Sequence, residues 1–271
     1  MGRVLAGLSP ARRRLVVGLL AVLGVAVLLT GALLVPRLAA GDAAPVPQEE
    51  PGPVLLVPGY GGSTRALQAL ADRLAAVGRD ASVVPVPGNG TGDLNASADS
   101  LAAAVDDALT RSGAETVDVV GYSAGGVIAR LWAADGGAAV ARRILTLGSP
   151  HHGTTVADLA GSLAPQQCPV GCRQLATGSD LLAGLNAGDE TPAGPTWVSV
   201  WTTADATVTP PESARLAGAL DLPVQSVCAD SRVGHGQLPG DPVVQGIVLA
   251  ELAAGPPVEL GAADCARLRQ G

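Results

Sequence analysis

The pentapeptide Gly121-Tyr122-Ser123-Ala124-Gly125 lies between an apolar run, Val117-Asp118-Val119-Val120, and the helix-like stretch Gly126-Val127-Ile128-Ala129-Arg130-Leu131-Trp132. A serine between two glycines at a strand-to-helix turn is constrained on every side. The turn is so tight that side chains at the flanking positions would meet the neighbouring strand and helix, and the serine itself takes a strained backbone. Its hydroxyl then stands at the C-terminal end of the strand, beside a helix N-terminus that favours developing negative charge. The segment therefore predicts a buried strand, a sharp elbow and a helix, with Ser123 as a candidate nucleophile. The plain alternative is a Gly/Ser loop in a chain with 36 glycines. The strand before and the helix after argue for the elbow.

The same alternation runs along the rest of the chain. Val54-Leu55-Leu56-Val57 is a short continuous apolar run, as expected of a strand buried on both faces. A helix is predicted over 66–77, a strand over 81–86, a glycine-rich loop over 88–92 and a helix over 94–112. A strand over 143–147 follows the elbow helix. Residues 155–194 are less regular, with two short helical patches. Beyond them come a strand at 197–201, a short helix at 213–219, a strand at 224–227 and a helix at 242–253. Strands alternating with helices predict an α/β fold, a mostly parallel central sheet with helices on both faces. Aromatic residues make up only 2% of the chain and Phe is absent, so the core must be built from Ala, Val and Leu.

Three segments are expected: 1–38, 39–53 and a catalytic domain over 54–271. Arg12-Arg13-Arg14 precedes residues 15–35, which carry no charge and approach the ~20 residues that span a bilayer as a helix. We expect an uncleaved signal anchor in the cytoplasmic membrane, with the arginines inside and the domain outside. A cleaved signal peptide and secretion are the rival reading. Residues 39–53 are rich in proline and are expected to form an extended linker. After residue 37 the acids outnumber the arginines, and lysine is absent, which disfavours nucleic-acid binding. The domain is expected to be a monomer. Its four cysteines, Cys168, Cys172, Cys228 and Cys265, suggest two disulfides in an exported protein. Of the three connectivities, Cys168–Cys172 with Cys228–Cys265 is expected, because the first pair closes a short Pro-Val-Gly loop. No histidine lies close in sequence to complete a metal site, so neither metal nor cofactor is expected.

A serine hydroxyl needs a base within hydrogen-bond reach, and the base needs an orienting carboxylate. The chain offers His151, His152 and His235. After an elbow of this kind the chain order is serine, acid, histidine, which selects His235 in Val233-Gly234-His235-Gly236. Asp205, just after the strand at 197–201, is the preferred acid. Asp180, Asp189, Asp230 and Asp241 are alternatives. His151 and His152 are in the wrong order for the base and are expected to line the substrate pocket or tie loops together. Oxyanion donors are expected at the backbone N–H of Ala124 and of Tyr60, in the loop Pro58-Gly59-Tyr60-Gly61-Gly62. The stretch 155–194 is expected to rim the pocket.

Several separate segments together resemble the small bacterial lipases and esterases of the α/β-hydrolase superfamily (the lipase class 2 type). They are Val57-Pro58-Gly59-Tyr60-Gly61-Gly62, Gly121-Tyr122-Ser123-Ala124-Gly125-Gly126, Leu147-Gly148-Ser149-Pro150-His151-His152-Gly153-Thr154, Ala204-Asp205 with Val208 and Pro210, and Gly234-His235. Pro58 departs from the histidine usual there. The resemblance implies hydrolysis of a carboxylic ester or lipid by Ser123, Asp205 and His235. Acyl transfer to a lipid or envelope acceptor by the same three residues, or a catalytically silent binding module on the same fold, are the alternatives.

Overall fold

The computed structural model describes residues 45–270; the expected membrane segment lies outside the described residues. Six strands form one parallel sheet: β1 (Val54–Val57), β2 (Ala81–Val83), β3 (Val117–Tyr122), β4 (Ala141–Leu147), β5 (Thr196–Trp201) and β6 (Leu220–Pro223). Their spatial order is β2-β1-β3-β4-β5-β6. The connecting helices are α1 (Arg65–Ala76), α2 (Leu94–Ser112), α3 (Ala124–Ala134), α4 (Thr155–Leu163), α5 (Val170–Gln174), α6 (Asp180–Leu185), α7 (Val224–Val227), α8 (Pro242–Glu251) and α9 (Cys265–Gln270). No described helix is long and apolar enough to cross a membrane.

The continuous apolar strands follow from burial on both faces. Val54 and Leu56 of β1 pack with Leu67, Leu70 and Leu74 of α1 and Ile247 and Val248 of α8. Leu55 and Val57 point the other way, towards Leu101 and Val105 of α2 and Val127, Ile128 and Trp132 of α3. The helices end where the sequence says they should. Asp93 caps α2 by accepting from Asn95 N–H, and Gly113 closes it in the left-handed conformation, where glycine has no Cβ penalty.

Four local expectations are corrected. The strand expected over 81–86 stops at Val83, because Pro85 and Pro87 lack the N–H that a ladder needs. The strand expected at Val224–Val227 is the helix α7. The ladder lies just before it, pairing Leu220, Asp221 and Leu222 with Val198, Ser199 and Val200. Val224 and Val227 are both buried, three residues apart on one helical face, and β-branching alone favoured a strand. The helix expected over 213–219 is a single turn at Pro211–Ala214. Finally, the linker expected to run to residue 53 is docked from Val46 onwards. Val46 is buried and donates to Gly194 O. Gln48 donates to Arg142 O at 2.9 Å and accepts from Arg143 and Thr196 at 2.9 and 3.0 Å. Residues 46–53 thus form a strap across the N-terminal edge of the sheet.

That edge also buries charge. Asp118 is fully buried and accepts both arms of Arg142, at 2.8 and 2.6 Å, and Arg79 at 2.6 Å. Arg142 further donates to the carbonyls of Gln48, Leu252 and Ala253. Nearby, burial pushes the Glu251 carboxyl up to about 7, against the opposing pull of Val258 N–H and Arg143. Folding therefore favours the neutral acid. The stability this contributes is complete below the ordinary glutamate range and is lost as pH rises through about 7. Glu251→Gln is expected to gain on the order of 2–3 kcal/mol over the native chain at pH 8 and almost nothing at pH 4.5, by urea unfolding at the two pH values.

Both expected disulfides, Cys168–Cys172 and Cys228–Cys265, are present. The second fastens α9 to the end of α7 across 37 residues of chain.

Candidate active site

β3 ends in the elbow. Ser123 has φ 55° and ψ −125° and is the one non-glycine residue with positive φ among the described residues. Such a conformation costs of order 1–3 kcal/mol and persists only where its surroundings enforce it. Here they do. A Cβ at Gly121 would come within 2.5 Å of Gly126 Cα, and one at Gly125 would collide with the Val57 carbonyl oxygen. Ser149 fills the space against Gly126 and bonds Gly121 O, so the segment from Gly148 to Thr154 buttresses the turn from behind.

Loops after three strands converge on this point. His235 Nε2 lies 2.9 Å from Ser123 Oγ, and His235 Nδ1 lies 2.7 Å from Asp205 Oδ2. The other carboxylate oxygen, Oδ1, accepts the N–H groups of Thr207 and Val208, both at 2.8 Å. The carboxylate is thus held by the 205–208 turn and turned towards the imidazole. A carboxylate can only accept from Nδ1–H, so Nε2 is left as the acceptor for the Ser123 hydroxyl. Asp205 and His235 are both buried, in surroundings where such hydrogen bonds are strengthened.

Three further contacts set the imidazole, and none was singled out in the sequence. Tyr122 donates its hydroxyl to His235 O at 3.2 Å, and its ring lies 5.3 Å from the imidazole. Burial first, and then the charge of Asp205, push this phenol up to about 12, so it remains a donor across the working range. Thr202 donates to Val233 O at 2.7 Å, tying the histidine loop to the end of β5. Gly148, with φ 55°, runs beneath the pair. A Cβ there would approach both Asp205 Oδ2 and His235 Nδ1 to 3.3 Å and Leu238 Cδ1 to 2.6 Å. Because β4 lies between β3 and β5, its outgoing loop has to pass under the site. A glycine after a buried strand was the available signal; what it passes under depends on strand order.

The segments bearing Tyr60 and Ala124 flank the serine. A Cβ on Gly59 would lie 2.9 Å from Ser123 Cβ, and Ala124 opens α3. Neither backbone N–H donates to another described residue. Both are thus available to a ligand oxygen.

The two other histidines stand apart. His151 is wholly enclosed, which corrects its expected place on the pocket wall. Its Nε2 meets Thr146 Oγ1 at 3.1 Å, and its carbonyl accepts from Asn186. Burial, then Arg130, then His152 hold it well below the ordinary histidine range, so it stays neutral. His152 bonds Glu190 at 2.9 Å and faces a shallow cleft with Arg215 and Asp221, not Ser123. Both therefore tie loops. The alternative acids are engaged elsewhere or remote: Asp241 caps α8, Asp189 caps Thr191, Asp230 pairs with Arg269, and Asp180 opens α6. A cavity of about 580 Å³ between α3 and α6, lined by Arg130, Leu131, Leu181 and Leu185, includes none of the three convergent residues. Among the described residues no cluster of His, Cys, Asp or Glu could hold a metal ion.

The sequence profile of the α/β-hydrolase fold matches residues 52–167, from just before β1 to just past α4. The chain has the α/β-hydrolase fold. Solved structures extend the likeness beyond the matched segment. Aspergillus fumigatus lipase B superposes with a TM-score of 0.63 at 18% identity, over 80% of this chain and 55% of the lipase. The propeptide form of Bacillus licheniformis lipase BlEst2 gives a TM-score of 0.64 at 20% identity, over 81% of this chain and 54% of that one. Its mature form gives 0.55 at 23% identity, over 66% and 84%. The chain thus spans about half the length of the fungal lipase and of the propeptide form. No curated protein matches the sequence. In α/β-hydrolase folds the functional loops lie at the C-terminal ends of the strands, the edge at which Ser123, Asp205 and His235 meet.

Proposed function

We propose that this α/β-hydrolase is a serine carboxylic-ester hydrolase. The observation that carries the reading is the unbroken hydrogen-bonded line from Ser123 Oγ through His235 to Asp205, on a strained elbow beside two unpaired backbone donors. The lipases whose fold it shares support the substrate class. Ser123 Oγ attacks the ester carbonyl carbon while His235 Nε2 takes its proton. The N–H groups of Tyr60 and Ala124 receive the developing oxyanion. The tetrahedral species collapses, the C–O bond to the alcohol breaks, and His235 returns the proton to the leaving oxygen. A water then gives a proton to His235 and attacks the acyl-enzyme. The acid leaves as Ser123 recovers its hydrogen. Asp205 holds the imidazole and stabilises its charged form throughout. The uncharged stretch at 15–35 supports placing this chemistry outside the cytoplasmic membrane, on an anchored chain.

An alkyl fluorophosphonate tests the reading. It should label the native chain at Ser123, located by peptide mapping, and abolish p-nitrophenyl ester turnover in step with labelling. Ser123→Ala should take up no label. Turnover that survives complete labelling, or labelling at another serine, would remove Ser123 from the reaction.

A further inference from the structure

The loop that carries Tyr60 does not stand alone. Gly61 N donates to Gly90 O at 3.0 Å. Gly90 has φ 71°, and a Cβ there would come within 2.5 Å of Gly62 N and 2.8 Å of Gly62 Cα. The backbone of 59–62 therefore rests directly on the glycine-rich loop at 88–92. The next residues of that loop meet α5. Gly171 N donates to Thr91 O at 3.2 Å, and a Cβ on Gly171 would come within 2.5 Å of Gly92 O. Gln174 holds the two residues that follow, accepting from Leu94 N at 2.9 Å and donating to Asp93 Oδ1 at 2.7 Å. Glycine at each contact lets three segments of backbone meet in series, and a displacement of one is passed to the next.

The far end of this series is a disulfide. Helix α5 has five residues, too few for an isolated helix to be stable in water. The Cys168–Cys172 bridge pins it, buried at both sulfur-bearing residues, and Arg173 Nη1 donates to Cys168 O at 2.7 Å. A bridge between residues four apart restrains the unfolded chain less than Cys228–Cys265 does across 37. Its effect is chiefly local, on α5 and on what α5 presses against.

We infer that the Cys168–Cys172 bridge positions an oxyanion donor: through Gly171 and the 88–92 loop it fixes the peptide that carries the Tyr60 N–H. That peptide is set between Gly59, packed on Ser123, and Gly61, bonded to Gly90. The bridge takes no part in making or breaking bonds. Loosening α5 lets the loop and the Tyr60 peptide shift, and a misplaced donor weakens the hold on the transition state more than the hold on the bound ester. The consequence for rate rests on the hydrolase reading; the chain of contacts does not.

The test compares the native full chain with Cys168→Ala/Cys172→Ala and with Gly171→Ala, which keeps the bridge but drives a methyl group into the backbone at Gly92. In both variants the Gly61 amide, followed by NMR, should exchange with deuterium at least tenfold faster. On a soluble p-nitrophenyl ester kcat should fall at least tenfold with KM within twofold. A trifluoromethyl ketone, whose adduct with Ser123 places an oxyanion at the same donors, should bind at least tenfold more weakly. An inhibition constant does not depend on how much of the protein is folded, so mere loss of structure leaves it unmoved. Arg79→Met, at the N-terminal edge of the sheet, should lower the thermal midpoint and leave kcat, the inhibition constant and Gly61 exchange within twofold. Unchanged Gly61 exchange in both variants, an inhibition constant that holds while kcat falls, or an equal rise with Arg79→Met would each overturn the inference. A native chain inert towards esters, with Gly61 exchange still accelerated in the variants, would instead sink the hydrolase reading and leave the bridge's hold on the loop standing.

Discussion

Asp205→Asn is expected to lower kcat on a soluble ester about 10⁴-fold while leaving the fold and its thermal midpoint nearly unchanged. The size of the effect comes from the turn that holds the side chain. Thr207 and Val208 aim two N–H groups at Oδ1, and only an oxygen satisfies them. An asparagine must therefore keep its oxygen there and turn its NH₂ towards His235. Nδ1 then becomes an acceptor, the ring proton moves to Nε2, and the atom facing Ser123 can no longer take a proton. The variant isolates tautomer from packing, because the two side chains have nearly the same shape. Steady-state kinetics with a parallel melting curve measure it. A variant keeping more than a tenth of the native kcat would show that Asp205 does not orient the base.

The second large effect concerns stability. Asp118→Ala is expected to cost about 3–5 kcal/mol in urea unfolding, because it strands the buried Arg142 guanidinium and takes the carboxylate from Arg79. Removing one partner of a buried pair is far more damaging than never having the pair, since the remaining charge keeps its desolvation cost. Arg79→Met should cost less, because Arg79 is partly open to solvent and Arg142 still neutralises the carboxylate. Equal costs for the two substitutions would mean that the cluster is solvated. Neither change touches the serine's edge of the sheet, so kcat of the folded fraction should hold.

The parts of this fold that were legible in the sequence are those governed by local rules. The span of α2 was readable because Asp93 and Gly113 punctuate it, and the elbow because its glycines have nowhere else to fit. The convergence of Ser123, Asp205 and His235 could be anticipated because strand–helix alternation fixes which loops share an edge. What escaped were properties of distance and packing. Nothing local marks Gln48 as the partner of Arg142 and Arg143, or Tyr122 as the partner of a carbonyl more than a hundred residues away. Val224 and Val227 misled because β-branched residues suit a strand and a buried helical turn alike. His151, beside a glycine-rich loop, looked like a pocket residue; its burial depends on how Thr146 and Asn186 close over it.

The strap at residues 46–53 sets where this chain can be cut. On the anchored chain proposed above, a protease acting before Pro45 would release the domain with Gln48 still in place, so the strap would stay whole on the freed piece. Removal of Gln48 is a different event. It strips a partner from Arg143 and Thr196 and opens the buried charges of the sheet's N-terminal edge to water. Trimming back to β1 at Val54 would therefore turn a change of address into a loss of protein.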